Sequence, residues 1–374
     1  MIERVALKNI KEKLFKGKAI VLLGPRQVGK TTLLQEIWKH QKNILWINAD
    51  NIEDREIFNQ PSATRLKALM GNYKIVIIDE AQRINDIGVK LKLITDELKH
   101  IQLIATGSSS FELANQINEP LTGRKFEYQL YPISFTELVN NSNLLEELKM
   151  LNHRLIYGSY PDVINNAGNE KEILQQLVSS YLYKDILEWN RIKKSDKIIK
   201  LLQAIAFQVG NQVSYNELAQ TVGLNNETIE SYINLLEQTF VIFRLNSFSR
   251  NLRNELKKSH KIYFYDNGVR NALIANYNPV SLRNDVGALW ENYLISERIK
   301  YCEYNKIYSN KYFWRTHSGQ EIDYIEEREG KLFAYEFKWN KKKKVKVPAA
   351  FEKAYNNSSF EVINPDNYEI FINE

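Results

Sequence analysis

This sequence predicts an α/β protein built in several parts, and three features carry that expectation. Short apolar runs alternate with helical stretches over residues 1–143, the pattern over 144–248 is mostly helical and ends in a helix-turn-helix, and 249–374 opens towards a helix and three strand-like runs. The 374 residues, set against about 150 per domain, leave room for two or three domains and a sizeable core. With 44% hydrophobic residues, 26% charged, 15 Gly and 8 Pro, the composition excludes the collagenous and disordered classes.

In the first part the apolar runs are Ala19 to Leu23, Ile44 to Ile47, Ile75 to Ile78 and Leu103 to Ala105, with helices from Lys30 and around Ser62 to Met70. That rhythm predicts a parallel sheet. From about Leu144 to Val209 the periodicity is helical, with one helix near Glu170 to Asn190 and another after Asp196. Ser214 and Glu217 form an S-x-x-E capping box opening a short helix that ends at Gly223; Asn225 or Asn226 then caps a second helix to about Gln238. With strands at Phe240 to Leu245 and Lys261 to Tyr265 behind it, this unit reads as a winged helix. From about Leu282 a helix leads to strands at Tyr312 to Thr316, Glu321 to Glu326 and Leu332 to Trp339, joined by turns at His317 to Gly319 and Arg328 to Lys331. The last part is therefore α+β or α/β, led by a β-meander.

The net charge of +6 permits a nucleic-acid partner without requiring one. The cluster Lys341, Lys342, Lys343, Lys344 and Lys346 reads either as a solvated face or as a phosphate contact. The single cysteine, Cys302, has no partner for an internal disulfide, and the charged start MIERVALKNIKEKL is unlike a signal peptide. No apolar run approaches the roughly 18 residues of a spanning helix. A soluble, cytoplasmic protein without a membrane partner is expected.

Gly24-Pro25-Arg26-Gln27-Val28-Gly29-Lys30-Thr31 satisfies G-x-x-x-x-G-K-[ST] between a predicted strand and a predicted helix. The glycines let the backbone curl around phosphate oxygens, N–H groups from about Gln27 to Thr31 point inward, and the helix N-terminus adds its dipole. Gly24, Gln27, Val28, Gly29, Lys30, Thr31 and Thr32 are thus the expected nucleotide contacts, Lys30 bridging the β- and γ-phosphates and Thr31 ligating Mg²⁺. Asp79 and Glu80 end the buried run Ile75 to Ile78 as a Walker B pair: Asp79 on Mg²⁺, directly or through water, and Glu80 as the base that orients and deprotonates the attacking water. ATP and Mg²⁺ are the expected cofactors. In Thr106 to Ser110 a hydroxyl, Ser108 foremost, is placed to meet water or γ-phosphate, whereas Ser110 reads equally as a helix cap. Arg124 reads either as an arginine finger on a neighbour's nucleotide, which requires a homo-oligomer, or as half of a surface salt bridge.

GPRQVGKTTL, IVIIDEAQ, ATGSSS and LTGRKFEYQLYPISF resemble the motifs of AAA+ type ATPases of bacteria and archaea that carry a C-terminal domain of uncharacterised function. The resemblance spans nearly the whole chain. It implies an ASCE-type P-loop NTPase sheet, a helical middle with a winged helix, and a C-terminal restriction-endonuclease-like α/β domain.

Near the C-terminus, Glu336-Phe337-Lys338 is an E-x-K on one strand and Asp323 precedes it on another. The period of two puts Glu336 and Lys338 on one face, and a hairpin sets Asp323 beside Glu336. Oxygen ligands so placed suit Mg²⁺, with Lys338 near the attacking water or scissile phosphate. Glu291 falls in helical register with Leu294 and Ile295 on a buried side. Glu291, Asp323, Glu336 and Lys338 resemble the PD-(D/E)XK nuclease constellation, three acids holding metal and a lysine serving catalysis; a merely charged hairpin is the other reading. Between Glu217 and Phe243 there is no Lys or Arg, so the second helix of the helix-turn-helix repels phosphate. That unit reads as a packing module or lid, or as a DNA contact through Arg244, Arg250 and Arg253. Two functions are expected from these parts. One is an ATP-hydrolysing ATPase whose nucleotide state controls a nuclease-like domain acting on DNA or RNA; the other is a nucleotide-dependent switch or scaffold whose C-terminal domain binds a partner without cleavage.

Overall fold

The computed structural model describes residues 2–39, 42–59, 62–108, 117–187, 195–249, 260–316, 318–343 and 345–373. Ser109, Ser110, Arg250, Arg253, His317 and Lys344, singled out above, lie outside them. The chain divides into two compact units, 1–131 with 238–240, and 132–237 with 241–374.

In the first unit, β1 (Ala19–Leu23), β2 (Ile44–Asn48), β3 (Ile75–Asp79), β4 (Gln102–Gly107) and β5 (Lys125–Gln129) form a parallel sheet in the order β2-β3-β4-β1-β5. Strands β1, β3 and β4 are buried along their whole length, which is why they appear as unbroken apolar runs rather than as alternation. Helices Lys30–Trp38, Ala63–Met70 and Ile87–Glu97 lie in the crossovers, the second capped by Ser62, whose hydroxyl accepts the Arg65 N–H. Because β4 is inserted between β1 and β3, their C-terminal ends share one edge, where open parallel sheets bind ligands. Gly24, Glu80 and Ser108 are the next residues on that edge.

In the second unit, β6 (Gln212–Val213), β7 (Ile242–Ser247), β8 (His260–Phe264), β9 (Asn310–Arg315), β10 (Glu321–Arg328), β11 (Lys331–Phe337) and β12 (Ser358–Ile363) form a mixed sheet, β12-β11-β10-β9-β7-β8-β6. Strand β7 pairs with β8 on one side and β9 on the other. The expected division at 248/249 therefore falls between hydrogen-bonded strands of one sheet, and 132–143 group with this unit. Helices Tyr215–Val222 and Asn226–Gln238 occupy the helix-turn-helix positions, separated by Gly223 in the left-handed region. Ser214 accepts the Glu217 N–H, but the Glu217 carboxylate accepts from Gln208 Nε2 instead of returning a capping bond. The reciprocal capping box is at Ser134 and Glu137, opening Phe135–Asn141.

The helix Val286–Tyr304 is buried nearly all round, polar residues included. Its Trp290 packs edge-on against Trp339 and Tyr368 at 5.5 and 5.4 Å. Asn292 satisfies itself on both backbone groups of Phe264 and on Asn267, while Arg298 pairs with Glu326. No helix among the described residues is long and apolar enough to cross a membrane.

Candidate functional site

The loop from Gly24 to Thr31 joins β1 to the helix Lys30–Trp38. A Cβ at Gly24 would overlap Leu130 O, so only glycine lets the loop pass under the chain leaving β5. Gln27 is held at φ 59, a left-handed conformation that costs a non-glycine residue energy and marks an over-determined loop. Arg4, only 7% exposed, secures the loop from outside it, donating to Val28 O at 2.7 Å and to Tyr131 O at 2.6 Å. Arg4 belongs to no motif and was not foreseen.

Lys30 is buried and donates to Gly24 O and Pro25 O at 2.8 and 2.9 Å, folding its ammonium over the loop. Thr31 Oγ1 donates to Asp79 Oδ2 at 2.9 Å, and Thr106 Oγ1 donates to Asp79 Oδ1. Thr106 Oγ1 also accepts the Glu80 N–H at 3.1 Å. Glu80, at φ 53, turns out of β3, and Gln82 Nε2 donates both to Glu80 Oε2 at 2.6 Å and to Ser108 Oγ at 3.1 Å. The structure thus gathers Lys30, Thr31, Asp79, Glu80 and Ser108, and adds Thr106 and Gln82. A hydroxyl beside a carboxylate at a helix N-terminus is a donor set that fits Mg²⁺ and phosphate. Gln27 and Thr32 lie on the exposed side of the loop and helix start.

Arg124 is not among them. Its Nε donates to Asp96 Oδ1 at 2.7 Å, and its carbonyl accepts the Ala19 N–H at the start of β1. The loop leaves the other end of that strand, roughly 15 Å away.

In the second unit, β10 and β11 pair so that Tyr324 faces Tyr335, and Asp323 and Glu336 are the next positions along. Asp323 Oδ2 accepts the Phe337 N–H at 2.8 Å, and Lys338 Nζ donates to Glu336 Oε1 at 2.5 Å. Glu291 faces inward as expected, accepting from Tyr263 OH at 2.5 Å and from Lys261 Nζ at 3.0 Å. Lys261, 1% exposed, also pairs with Glu321 at 2.5 Å. Burial pushes the Glu291 carboxyl up to about 7, Lys261 opposing and Asp323 adding to the rise. Burial likewise raises Asp323, against the pull of Lys261, and raises Glu336, where Asp323 adds to it. Burial opposes the Lys261 charge, but Glu291, Asp323 and Glu321 outweigh it and hold the ammonium above its usual range.

The four expected residues are brought together, with lysines among the acids. Among the described residues no three of His, Cys, Asp or Glu form a group that could hold a metal ion. Lysines meet the acids instead: Lys261 takes Glu291 and Glu321, and Lys338 takes Glu336. As arranged, Glu291, Asp323 and Glu336 do not fit a shared divalent cation. Lys261 escaped sequence reading because β8 is buried on both faces from Lys261 to Phe264, and nothing in HKIYF marks its lysine as internal.

Arg244, expected either in a packing module or at a DNA contact, has its partners inside the unit. It pairs with Glu237 at 2.5 Å and donates to Tyr215 OH and Asn234 Oδ1, so it is spent within the unit.

The sheet, the loop and the acidic strand end have the arrangement of a P-loop nucleotide-binding fold, and residues 16–139 match the family model of an AAA domain. Residues 148–280 match a domain of unknown function (DUF8612) and 286–371 another (DUF4143). An uncharacterized protein of Methanocaldococcus jannaschii is 26% identical, covering 99% of this chain and 89% of its own. An uncharacterized protein of Mycobacterium tuberculosis is 24% identical, with 90% and 73% covered. The Walker-type ATPase of Pyrococcus abyssi shares the fold at a TM-score of 0.53 and 15% identity, over 73% of this chain and 96% of that one.

Proposed function

We propose that this chain hydrolyses ATP in its first unit and uses the nucleotide state to control what its second unit binds. The observation that carries the first half is Asp79, held between Thr31 and Thr106 on the sheet edge with Glu80 one residue on. In this reading the loop N–H groups and Lys30 take the β- and γ-phosphates, Lys30 leaving the Gly24 and Pro25 carbonyls it now caps. Thr31 and Asp79 would hold Mg²⁺, which offsets negative charge on the phosphates. Glu80 accepts the proton of the attacking water, and Ser108 hydrogen-bonds on the γ-phosphate side.

For the second unit, the spacing of Glu291, Asp323, Glu336 and Lys338 supports a nuclease-like fold, and DNA or RNA as the partner. The lysine pairing of its acids favours binding without cleavage. Helices Tyr215–Val222 and Asn226–Gln238 serve as a winged-helix-like packing module, since Arg244 is engaged internally.

ATP turnover by the purified full chain, with and without single-stranded DNA, duplex DNA and RNA, tests both halves. Lys30→Ala should weaken ATP binding, and Glu80→Gln should bind ATP without turning it over. Normal hydrolysis by Glu80→Gln would reject the ATPase assignment; phosphodiester cleavage lost in Lys338→Ala would reject binding without cleavage.

A further inference from the structure

The acidic site of the second unit carries its own cation. Glu291, Glu321, Asp323 and Glu336 gather where β8, β10 and β11 meet the helix Val286–Tyr304, and two lysines, Lys261 and Lys338, lie among them. Lys338 is partly exposed, but Lys261 is sealed from solvent, its stem beside the Phe313 ring with the ammonium 5.4 Å from the centroid. Its charge reaches Glu291 at 3.0 Å and Glu321 at 2.5 Å, from a strand that neither acid occupies.

Glu291, 14% exposed, is approached from a second side. Its Oε1 takes both Lys261 and the Tyr263 hydroxyl, while a Cβ at Gly210 would come within 3.3 Å of Oε2. Gly210, at φ 79, therefore lies directly over the second oxygen, leaving no side-chain bulk between the turn and the carboxylate. An isolated buried carboxylate is expensive, and removing one partner of a buried pair leaves that expense uncompensated.

We infer that Lys261 is the resident cation of this acidic site, neutralising Glu291 and Glu321 from within, so that the second unit is complete without metal. This rests on reading that unit as a binding module. It assigns Lys261 a positioning role: the ammonium keeps Glu291 and Glu321 in place behind Asp323 and Glu336.

The test is thermal unfolding of the nucleotide-free full chain, in chelator or in excess MnCl₂, with hydrogen exchange across 286–304 as the local readout. The wild type should be indifferent to Mn²⁺ in that helix. Lys261→Met should lower the midpoint by roughly 10 °C, and Mn²⁺ should restore a large part of it and of the protection. Lys261→Met/Glu291→Gln should be more stable than Lys261→Met, because the more buried of the two stranded charges is gone; this variant also covers failure of Lys261→Met to fold. Mn²⁺ protection of the wild-type helix that is lost in Glu291→Gln would overturn the inference, as would Lys261→Met matching the wild type. Nucleic-acid cleavage assayed separately distinguishes the binding-module reading: cleavage that persists in chelator would end that reading while leaving Lys261 as the resident cation.

Discussion

Gln82 and Glu80 are joined by a 2.6 Å hydrogen bond, and the same Gln82 amide nitrogen reaches Ser108 at 3.1 Å, linking the end of β3 to the end of β4. Among the described residues Gln82 Oε1 is buried without a hydrogen-bond partner, so this half of the amide is open to a group arriving in the site. Gln82→Ala should therefore lower kcat by roughly tenfold to a hundredfold, less than loss of the base itself, with ATP affinity nearly unchanged. A large loss of affinity at unchanged kcat would mean that Gln82 shapes the phosphate pocket and does not position the base.

Gln82 also shows where sequence reading stops. The loop, β1 and β3 were legible because a buried parallel strand is an unbroken apolar run and the phosphate loop has fixed spacing. Gln82 lies two residues after the left-handed Glu80, in a single 3₁₀ turn, Ala81–Arg83, whose side-chain directions no periodicity encodes. Arg4 acts on a loop far along the chain, and Lys261 is internal only because acids from other elements neutralise it. The inward Glu291 was legible from helical register, but Asn292, Glu297 and Arg298 of the same helix are buried too, each with its partner. The S-x-x-E signal occurred at both Ser134 and Ser214, and pattern alone did not distinguish the box that closes from the one that does not.

Arg124 and Asp96 form an ion pair whose side chains are 42% and 39% exposed. Such a pair contributes at most about 1 kcal/mol, whereas an arginine finger is worth roughly 10³ to 10⁵ in kcat. Arg124→Ala should accordingly leave ATP turnover within about threefold of wild type. A thousandfold loss, restored by mixing with Lys30→Ala protein, would reinstate Arg124 as a finger acting between copies.

Asp285 is held by Arg283 at 2.8 Å on both carboxylate oxygens and by Arg270 at 2.6 Å. Burial would raise its carboxyl, but these two guanidinium groups outweigh it and bring it down to about 2. A depressed folded-state value stabilises the protein above the unfolded value near 4 and loses that stability as pH falls towards 2. After allowance for solvent screening this amounts to about 1–2 kcal/mol. Asp285→Asn should lower stability at neutral pH by that amount and shrink the loss between pH about 5 and 2 in urea titrations. An unchanged acid limb would show that the two arginines do not discriminate the charged carboxylate.

Glu326 has no exposed surface, and Arg298 grips it through Nε at 2.8 Å and Nη2 at 3.1 Å while donating Nη1 to Phe371 O at 2.6 Å. The pair thereby ties β10 and the helix Val286–Tyr304 to the helix Tyr368–Asn373. Tyr324 OH and Arg328 add to the same carboxylate, at 3.1 and 3.3 Å. Burial would raise the Glu326 carboxyl, yet Arg298 outweighs it and holds it below its ordinary value. Removing Glu326 leaves a buried guanidinium without its acid, so Glu326→Ala should cost about 3–5 kcal/mol. Glu326→Gln, which keeps the shape and part of the hydrogen bonding, should cost less. The double variant Arg298→Met/Glu326→Leu should recover most of the loss, because two apolar groups leave no stranded charge. Denaturant midpoints for these proteins and for Arg298→Met decide it: additive losses in the double variant would mean that Arg298 matters mainly through the Phe371 carbonyl and the end of the chain, not through Glu326.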